Sequence, residues 1–520
     1  MRITVWPATF AFLAVPSIAA AQGQASTPDP STAPTGGVAA APAAPRSVAE
    51  SPPMPTPAAA QTNSAASDLT TLRILHDKKI ISDAEYDSAL KDLGESTGLR
   101  AADANTFVLG KWSTTMYGFI EEDNIWDSTR SFNDLAGGGL VLKPGSIGGD
   151  NGRFQMGVRN SRLGFRMRAP ETNGIRTSAM LEMDFLGSPT APPGISEGGF
   201  FTSPVFRIRH FNFKVETPVV DVLVGQYWSL FGWQSAYQPN TVQIQGVPGE
   251  VYSRTPQIRI SKTIKTDPVT FEVAIAATRP VQRDAATPDG QGGLRLAFND
   301  WQGMQTVGST GTNLAPLSVA LTGYVRRVAV DEFSATPTVV HNKTAAGIAI
   351  DGFIPILPAT KDKKDNSLSL NGEFASGDGS ADQYTGFNGG AGYPALPSAT
   401  GASAFTPNID GGIVTYGADG ALHFIRWTSF LVGAQYYLPG LGGKAWVSAN
   451  YSRIKTSNLT DWGAAPAKSL AHEDWWDVNV FGDIATAVRV GVELSQFKDT
   501  FADGSTAKNN RAQGSAFFLF

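Results

Sequence analysis

Two kinds of side chain in this sequence have the types and numbers to do chemistry, histidine and arginine, and only the second is patterned. His76, His210, His341, His423 and His472 form no His-x-x-x-His pair, the spacing by which one helical face offers two imidazoles to a zinc ion. Cysteine is absent, which excludes disulfides, thiolate metal sites, iron–sulfur clusters and thiol nucleophiles. No serine–histidine pair stands out as a nucleophile with its base, and no P-loop pattern occurs. The run Gly377-Asp378-Gly379-Ser380-Ala381-Asp382 has the oxygen ligands of a calcium site without the spacing or terminal glutamate of an EF-hand, and reads as a flexible acidic loop. The expectation is a protein that is not an enzyme and that carries no metal or cofactor.

The arginines sit in alternating segments. In residues 174–185, Ile175, Thr177, Ala179, Leu181, Met183 and Phe185 share one parity, while Arg176, Ser178, Met180, Glu182 and Asp184 share the other. A period of two is that of a β-strand with one apolar face. From 107 to 520 such segments of about ten residues recur, divided by Gly, Pro, Asn and Asp clusters. About sixteen candidate strands can be placed, an even number that returns both ends of a barrel to one side. Links at 170–174, 217–218, 266–268 and 439–443 are short, and those at 124–160, 229–256 and 377–421 are long. A soluble sandwich has no reason to sort its connections by parity, whereas a transmembrane barrel does. Two links, 301–316 and 355–366, break the rule by being too long for their side.

Composition agrees with strands crossing a membrane. The 55 glycines and 33 prolines are turn-rich, and beyond the N-terminus no run reaches the roughly 18 apolar residues that a spanning helix needs. A closed barrel satisfies every backbone group while each strand needs only one apolar face. A formal charge of −5 argues against a nucleic-acid partner, which would call for a clustered basic surface.

The expected organisation has four parts. Arg2, an apolar stretch from Val5 to Ile18 and the small residues Ala19-Ala20-Ala21 read as a signal peptide over 1–21. Residues 22–66, almost all Ala, Pro, Ser, Thr, Gly and Gln, read as a disordered Ala/Pro-rich tether. Residues 67–98 read as a short α-helical hairpin, its second helix opened by a capping box from Ser82 to Glu85. The remainder, 107–520, is an all-β transmembrane barrel of about 16 antiparallel strands. Its last residues, Ala512, Gly514, Ala516, Phe518 and Phe520, alternate back from a terminal aromatic, resembling the signal that outer-membrane barrels present to their assembly machinery. Tyr117, Phe119, Tyr436, Tyr437, Trp446, Trp475 and Trp476 lie near strand ends and suit interfacial aromatic girdles.

Several stretches resemble the DcaP-like trimeric porins of the outer membrane, with a more distant likeness to phosphate-selective porins. They are Tyr117-Gly118-Phe119, Asn160-Ser161-Arg162-Leu163-Gly164-Phe165, Leu181-Glu182-Met183-Asp184-Phe185, Arg207-Ile208-Arg209-His210 and Gly225-Gln226-Tyr227-Trp228-Ser229. The resemblance covers 107–520 and is clearest before Ser261. It implies a sixteen-stranded barrel, a homotrimer, and a preference for small anions such as dicarboxylates. Members of that family also carry an N-terminal helical segment associated with trimerisation.

If apolar side chains face lipid, alternation sends Arg162, Arg166, Arg168, Arg176, Arg259, Arg295 and Arg326 into the lumen. Arg207 and Arg209 join them across a slip in the alternation near His210. An arginine facing lipid at mid-depth costs about 2–4 kcal/mol, so the lumen is the cheaper place. Guanidinium groups stay charged and bind carboxylate or phosphate through two parallel hydrogen bonds, so a ladder of them can pass an anion between weak sites. The alternative is that they balance Glu121, Glu182, Asp184, Glu272, Glu373 and Glu493 in a neutral network. The third long loop carries Phe231, Trp233 and Tyr237, apolar enough to fold inward as a constriction loop. The expected function is a passive outer-membrane channel for small solutes, with a periplasmic N-terminal region. A sugar channel with Trp228, Phe231, Trp233 and Tyr237 as an aromatic slide is one alternative, and a structural protein whose tether and hairpin bind peptidoglycan is another.

Overall fold

The computed structural model of the chain describes residues 75–76, 78–82, 85–86, 106–109, 111–137, 139–187, 204–243, 245–387, 408–417, 420–459 and 469–520. The expected signal peptide and tether, and most of the helical hairpin, lie outside these. Within the hairpin the capping box is formed: the Ser82 backbone N–H and hydroxyl both donate to Glu85 Oε2, at 2.8 and 2.7 Å. No helix among the described residues is long and apolar enough to cross a membrane.

The first half of the strand sequence comprises β1 (Thr106–Leu109), β2 (Trp112–Asp127), β3 (Arg153–Gly157), β4 (Arg162–Arg168), β5 (Arg176–Gly187), β6 (Val205–Glu216), β7 (Asp221–Trp228), β8 (Arg254–Lys265), β9 (Val269–Thr278) and β10 (Asp289–Val307). It continues with β11 (Gly311–Asp331), β12 (Val340–Leu357), β13 (Leu368–Asp378), β14 (Val414–Tyr416), β15 (Leu422–Phe424), β16 (Arg426–Tyr437), β17 (Ala445–Thr456), β18 (Leu470–Ala485), β19 (Val488–Phe501) and β20 (Thr506–Leu519). Wall strands pair antiparallel with their neighbours, β3 and β4 acting as one interrupted strand beside β2. The ring closes where β20 pairs β2 from Phe119↔Leu519 to Asp127↔Arg511. The result is a closed barrel of sixteen antiparallel strands, with β14 and β15 a small hairpin inside a long loop. Closure removes the exposed edges that an open sheet would leave.

Alternation decides which face each residue takes. Ile258, Ile260, Ile275, Leu294, Val325, Ile348, Val432, Val480 and Leu494 point outward and are exposed, forming the apolar band a bilayer would cover. Inward positions hold buried Glu121, Asp184, Arg259, Thr322, Asn371, Gln435, Asn479 and Gln513. The lumen is far from empty, because described residues of the connections at 128–137, 139–152, 229–243, 245–253, 379–387, 408–417 and 420–425 pack into it and contribute to each of the apolar clusters. Phe132, Val141 and Val247 meet Trp475 and Phe497 in one such cluster, and Phe231 and Val251 meet Tyr324, Tyr384 and Trp427 in another.

Three sequence expectations change. Residues 124–127 and 153–157 are strand, so the first long connection is only 128–152. The girdle assignment fails for Tyr117, Phe119, Tyr437, Trp446 and Trp475. Tyr117 lines a lumen cavity and the other four are buried in the interior, because adjacent residues such as Tyr436 and Tyr437 must take opposite faces. The overlong link 301–316 is continuous β structure. After a register shift between Phe298 and Gln302, β10 and β11 remain paired from Gln302↔Pro316 to Val307↔Gly311, leaving a turn of residues 308–310. The link between β12 and β13 stays the longest turn on its side, at 358–367.

Candidate functional site in the barrel lumen

The third loop, 229–253, turns inward straight from the end of β7. Its entry needs backbone that bulky residues resist: Gly232 has φ +78°, and a Cβ there would lie 2.8 Å from Val251. The loop then fastens to the wall on many sides. Leu230 N–H donates to Gln291 on β10 and Gly232 N–H to Thr322 on β11. Across the lumen, Val251 N–H donates to Glu373 on β13, Val242 N–H to Asn479 on β18 and Gln243 N–H to Glu493 on β19. Asn240 is the densest node: its Oδ1 accepts from Trp446 Nε1 at 2.9 Å, and its carbonyl accepts from Ser448 Oγ and Asn450 Nδ2. Phe231, Trp233 and Tyr237 bury their rings against the wall, Phe231 edge-on to Tyr324 and Tyr237 donating to Ser318 Oγ at 3.0 Å.

Beside this loop two adjoining cavities remain, of about 430 and 530 Å³. Arg166, Ser235, Val307 and Gly311 line both. The first adds Tyr117, Arg162, Glu182, Tyr227 and Gln238, and the second adds Arg295, Thr312 and Asn313. Two further depressions lie on the lipid face among isoleucines, glycines and alanines, and neither contains a charged side chain.

The nine arginines expected in the lumen separate into three groups. Arg162, Arg166 and Arg295 reach the cavities: Arg166 lies over the Tyr117 ring at 4.0 Å, Arg162 lies 3.6 Å from Glu182, and Arg295 touches Glu272 and the Tyr237 hydroxyl. Arg207 and Arg209 are bound to the acidic pair on β5. Arg207 grips Asp184 through Nε and Nη2, and Arg209 donates to Glu182 Oε1 at 2.8 Å and Asp184 Oδ2 at 3.1 Å. Both face inward because β6 carries a register shift opposite Glu182, so His210 follows Arg209 into the interior.

The remaining four are corrections to a single ladder. Arg259 is buried at the root of the third loop, donating to the Trp228 carbonyl and Gln257. Arg326 is buried between Asp289 and Asp382 and also donates to the Gly379 carbonyl, so it anchors a loop. Arg168 and Arg176 are exposed near the short-turn end, with Arg176 3.6 Å from Glu216. Parity predicts the face of a side chain and is blind to what covers it. The acidic run at 377–382 is likewise occupied, with Asp378 held by Arg426 and Asp382 by Arg326.

Sequence reasoning missed Arg254, whose guanidinium lies over the Trp228 and Tyr252 rings and donates to the Tyr252 hydroxyl. It also missed where the balancing acids go. Asp351, Glu373, Asp477 and Glu493 are buried behind the third loop on β12, β13, β18 and β19. Glu373, Glu493 and Asp477 accept backbone N–H groups there, from Val251, Gln243 and Asn450.

No family model and no curated protein matches the chain. Solved structures do match. The outer membrane channel DcaP of Acinetobacter baumannii superposes with a TM-score of 0.57 at 17% identity, over 79% of this chain and 97% of that one. An anion-selective porin from Comamonas acidovorans has a TM-score of 0.44 at 10% identity, over 79% of this chain and 100% of that one. The chain thus shares the fold of the DcaP channel, a closed antiparallel β-barrel.

Proposed function

We propose that this chain is an outer-membrane porin, a passive channel for small solutes that prefers small anions, dicarboxylates among them. One observation carries the preference: charge in the lumen is sorted by exposure. Arg162, Arg166 and Arg295 border the cavities, where Glu182 is the one carboxylate side chain among the lining residues and is itself held by Arg162 and Arg209, whereas Asp351, Glu373, Asp477 and Glu493 are buried behind the third loop. Fixed positive charge in a narrow, poorly screened space raises the local concentration of anions. The DcaP structure that shares this fold is an outer membrane channel by description, which supports passage as such. The same reading includes export through residues 1–21, an outer-membrane location with the short turns and the N-terminal region on the periplasmic side, and a homotrimer, as the family resemblance implies. Of the four aromatics of a sugar slide, Trp228 lines the first cavity, while Phe231, Trp233 and Tyr237 pack into the wall, which leaves that reading with one ring on the path.

The test is the reversal potential of the purified protein in a planar bilayer under a potassium chloride gradient. Anion selectivity is expected. The double variant Arg166→Gln/Arg295→Gln should lower the anion-to-cation permeability ratio by about two-fold or more while the barrel stays folded, because lumen substitutions tune passage more than stability. Cation selectivity of the unmodified channel would reject the reading.

A further inference from the structure

The paired segment from Gln302 to Pro316 does not continue along the barrel wall. Pairing of β10 with β9 ends at Phe298↔Val269, and pairing of β11 with β12 ends at Ser318↔Phe353, so beyond these points the hairpin has no wall strand on either side. The register shift between Phe298 and Gln302 supplies the bend. At its base, Trp301 Nε1 donates to the Pro355 carbonyl at 2.8 Å and the Gln302 carbonyl accepts from Ala359 N–H. Gly303 is needed for the crossing, because a Cβ there would lie 2.6 Å from Pro355 Cβ and 2.7 Å from Ser369 Oγ.

One edge of the hairpin is bound to buried side chains of β13 and β16. Ser369 Oγ donates to the Met304 carbonyl at 2.8 Å, and the Gln435 amide brackets Thr306, accepting from its N–H at 2.8 Å and donating to its carbonyl at 2.9 Å. Met304 packs among Val242, Tyr437, Trp446 and Phe481. The tip is held from two directions: Arg489 Nη1 donates to the Ser309 carbonyl, and Asn240 of the third loop donates to the Gly308 carbonyl at 2.6 Å. Gly308 N–H returns a bond to the Pro239 carbonyl at 3.1 Å. The other edge is open. Val307, Gly311, Thr312 and Asn313 line the cavity that Arg166 and Arg295 border.

We propose that this inward hairpin is a second, fixed constriction, entering from the short-turn end and setting with the third loop the size limit of the channel. It rests on the reading of the protein as a channel. The third loop fills the far half of the lumen from one side and the hairpin fills it from the other. The way through is then the strip between the arginine-bearing wall and the Gly311–Asn313 edge. Selectivity for size arises at this edge, and selectivity for charge arises at Arg166 on β4 and Arg295 on β10, which border the same space.

The experiment compares the whole protein with a variant in which residues 303–315 are replaced by an Asn-Gly turn, a sequence suited to a two-residue hairpin. Single-channel conductance and the largest polyethylene glycol that still enters the pore are measured for both. The expected result is a rise in conductance of about two-fold or more, as for a removed constriction, together with a larger exclusion size. A folded variant with unchanged conductance and exclusion size overturns the proposal. Because that variant can fail to fold, Asn313→Cys is tested as well, with a bulky charged thiosulfonate reagent added from the short-turn side. Loss of about half the current or more is expected from a blocked strip of this width. Labelling proved by mass with no loss of current overturns the proposal independently of the deletion. An unmodified protein that carries no current rejects the channel reading itself, a result distinct from a conducting protein indifferent to its hairpin.

Discussion

At the scale of single residues, guanidinium groups of the same parity perform different work according to their neighbours. Arg166 is exposed over an aromatic ring, while Arg326 on β11 is almost wholly buried between two carboxylates. Removing one member of a buried pair leaves an uncompensated charge, at a cost of about 3–5 kcal/mol. Arg326→Ala is therefore expected to lower the denaturation midpoint of the folded barrel, read from the heat-dependent shift on unboiled gels. Its reversal potential should match that of the unmodified protein. A variant with unaltered stability and altered selectivity would place Arg326 on the solute path. The register shift in β6 is the other residue-scale event, since it puts Arg209 and His210 on the same side where plain alternation would part them.

At the scale of elements, the barrel wall is regular and its fillings are not. The third loop hangs on side-chain bonds more than on strand pairing, with Asn240 linking it to β17 and to the Gly308 turn. Asn240→Ala removes the side-chain bonds to Trp446 and Gly308 and leaves the backbone ones. Each such bond contributes on the order of 1 kcal/mol, too little to unfold the loop but enough to raise its excursions. The expected signature is greater open-channel current noise with little change in mean conductance. Noise equal to that of the parent protein would show that the remaining anchors, at Thr322, Glu373 and Glu493, hold the loop alone.

At the scale of the whole molecule, the surface is inverted relative to that of a soluble protein, apolar outside and polar within. That inversion is stable only against lipid. The protein is expected in the outer-membrane fraction, with a mature N-terminus near Gln22, and to run on unheated detergent gels near three times its monomer mass. N-terminal sequencing that recovers Met1, or a monomeric mass from light scattering, would contradict this. Raising the salt should weaken anion preference, because a Debye length of ~8 Å at physiological ionic strength shortens to ~3 Å at 1 M.

The barrel was legible from local pattern. A period of two needs only neighbouring residues, and a lipid exterior gives that pattern one sign, so sixteen strands and the inward parity of Arg162, Arg166 and Arg295 follow from reading along the chain. Even so, parity could not show that Tyr437 and Trp446 leave the girdle for the interior, or that the overlong link after Phe298 is a hairpin that leaves the wall. What only the tertiary structure decided is which charges meet. Arg326 lies 37 residues from Asp289 and 56 from Asp382, and Glu493 lies 250 from the Gln243 amide that it accepts. Such partners are brought together by closure of the barrel and by loops folding back through it. No short-range signal encodes them, because the energy of a buried charge depends on what surrounds it in space.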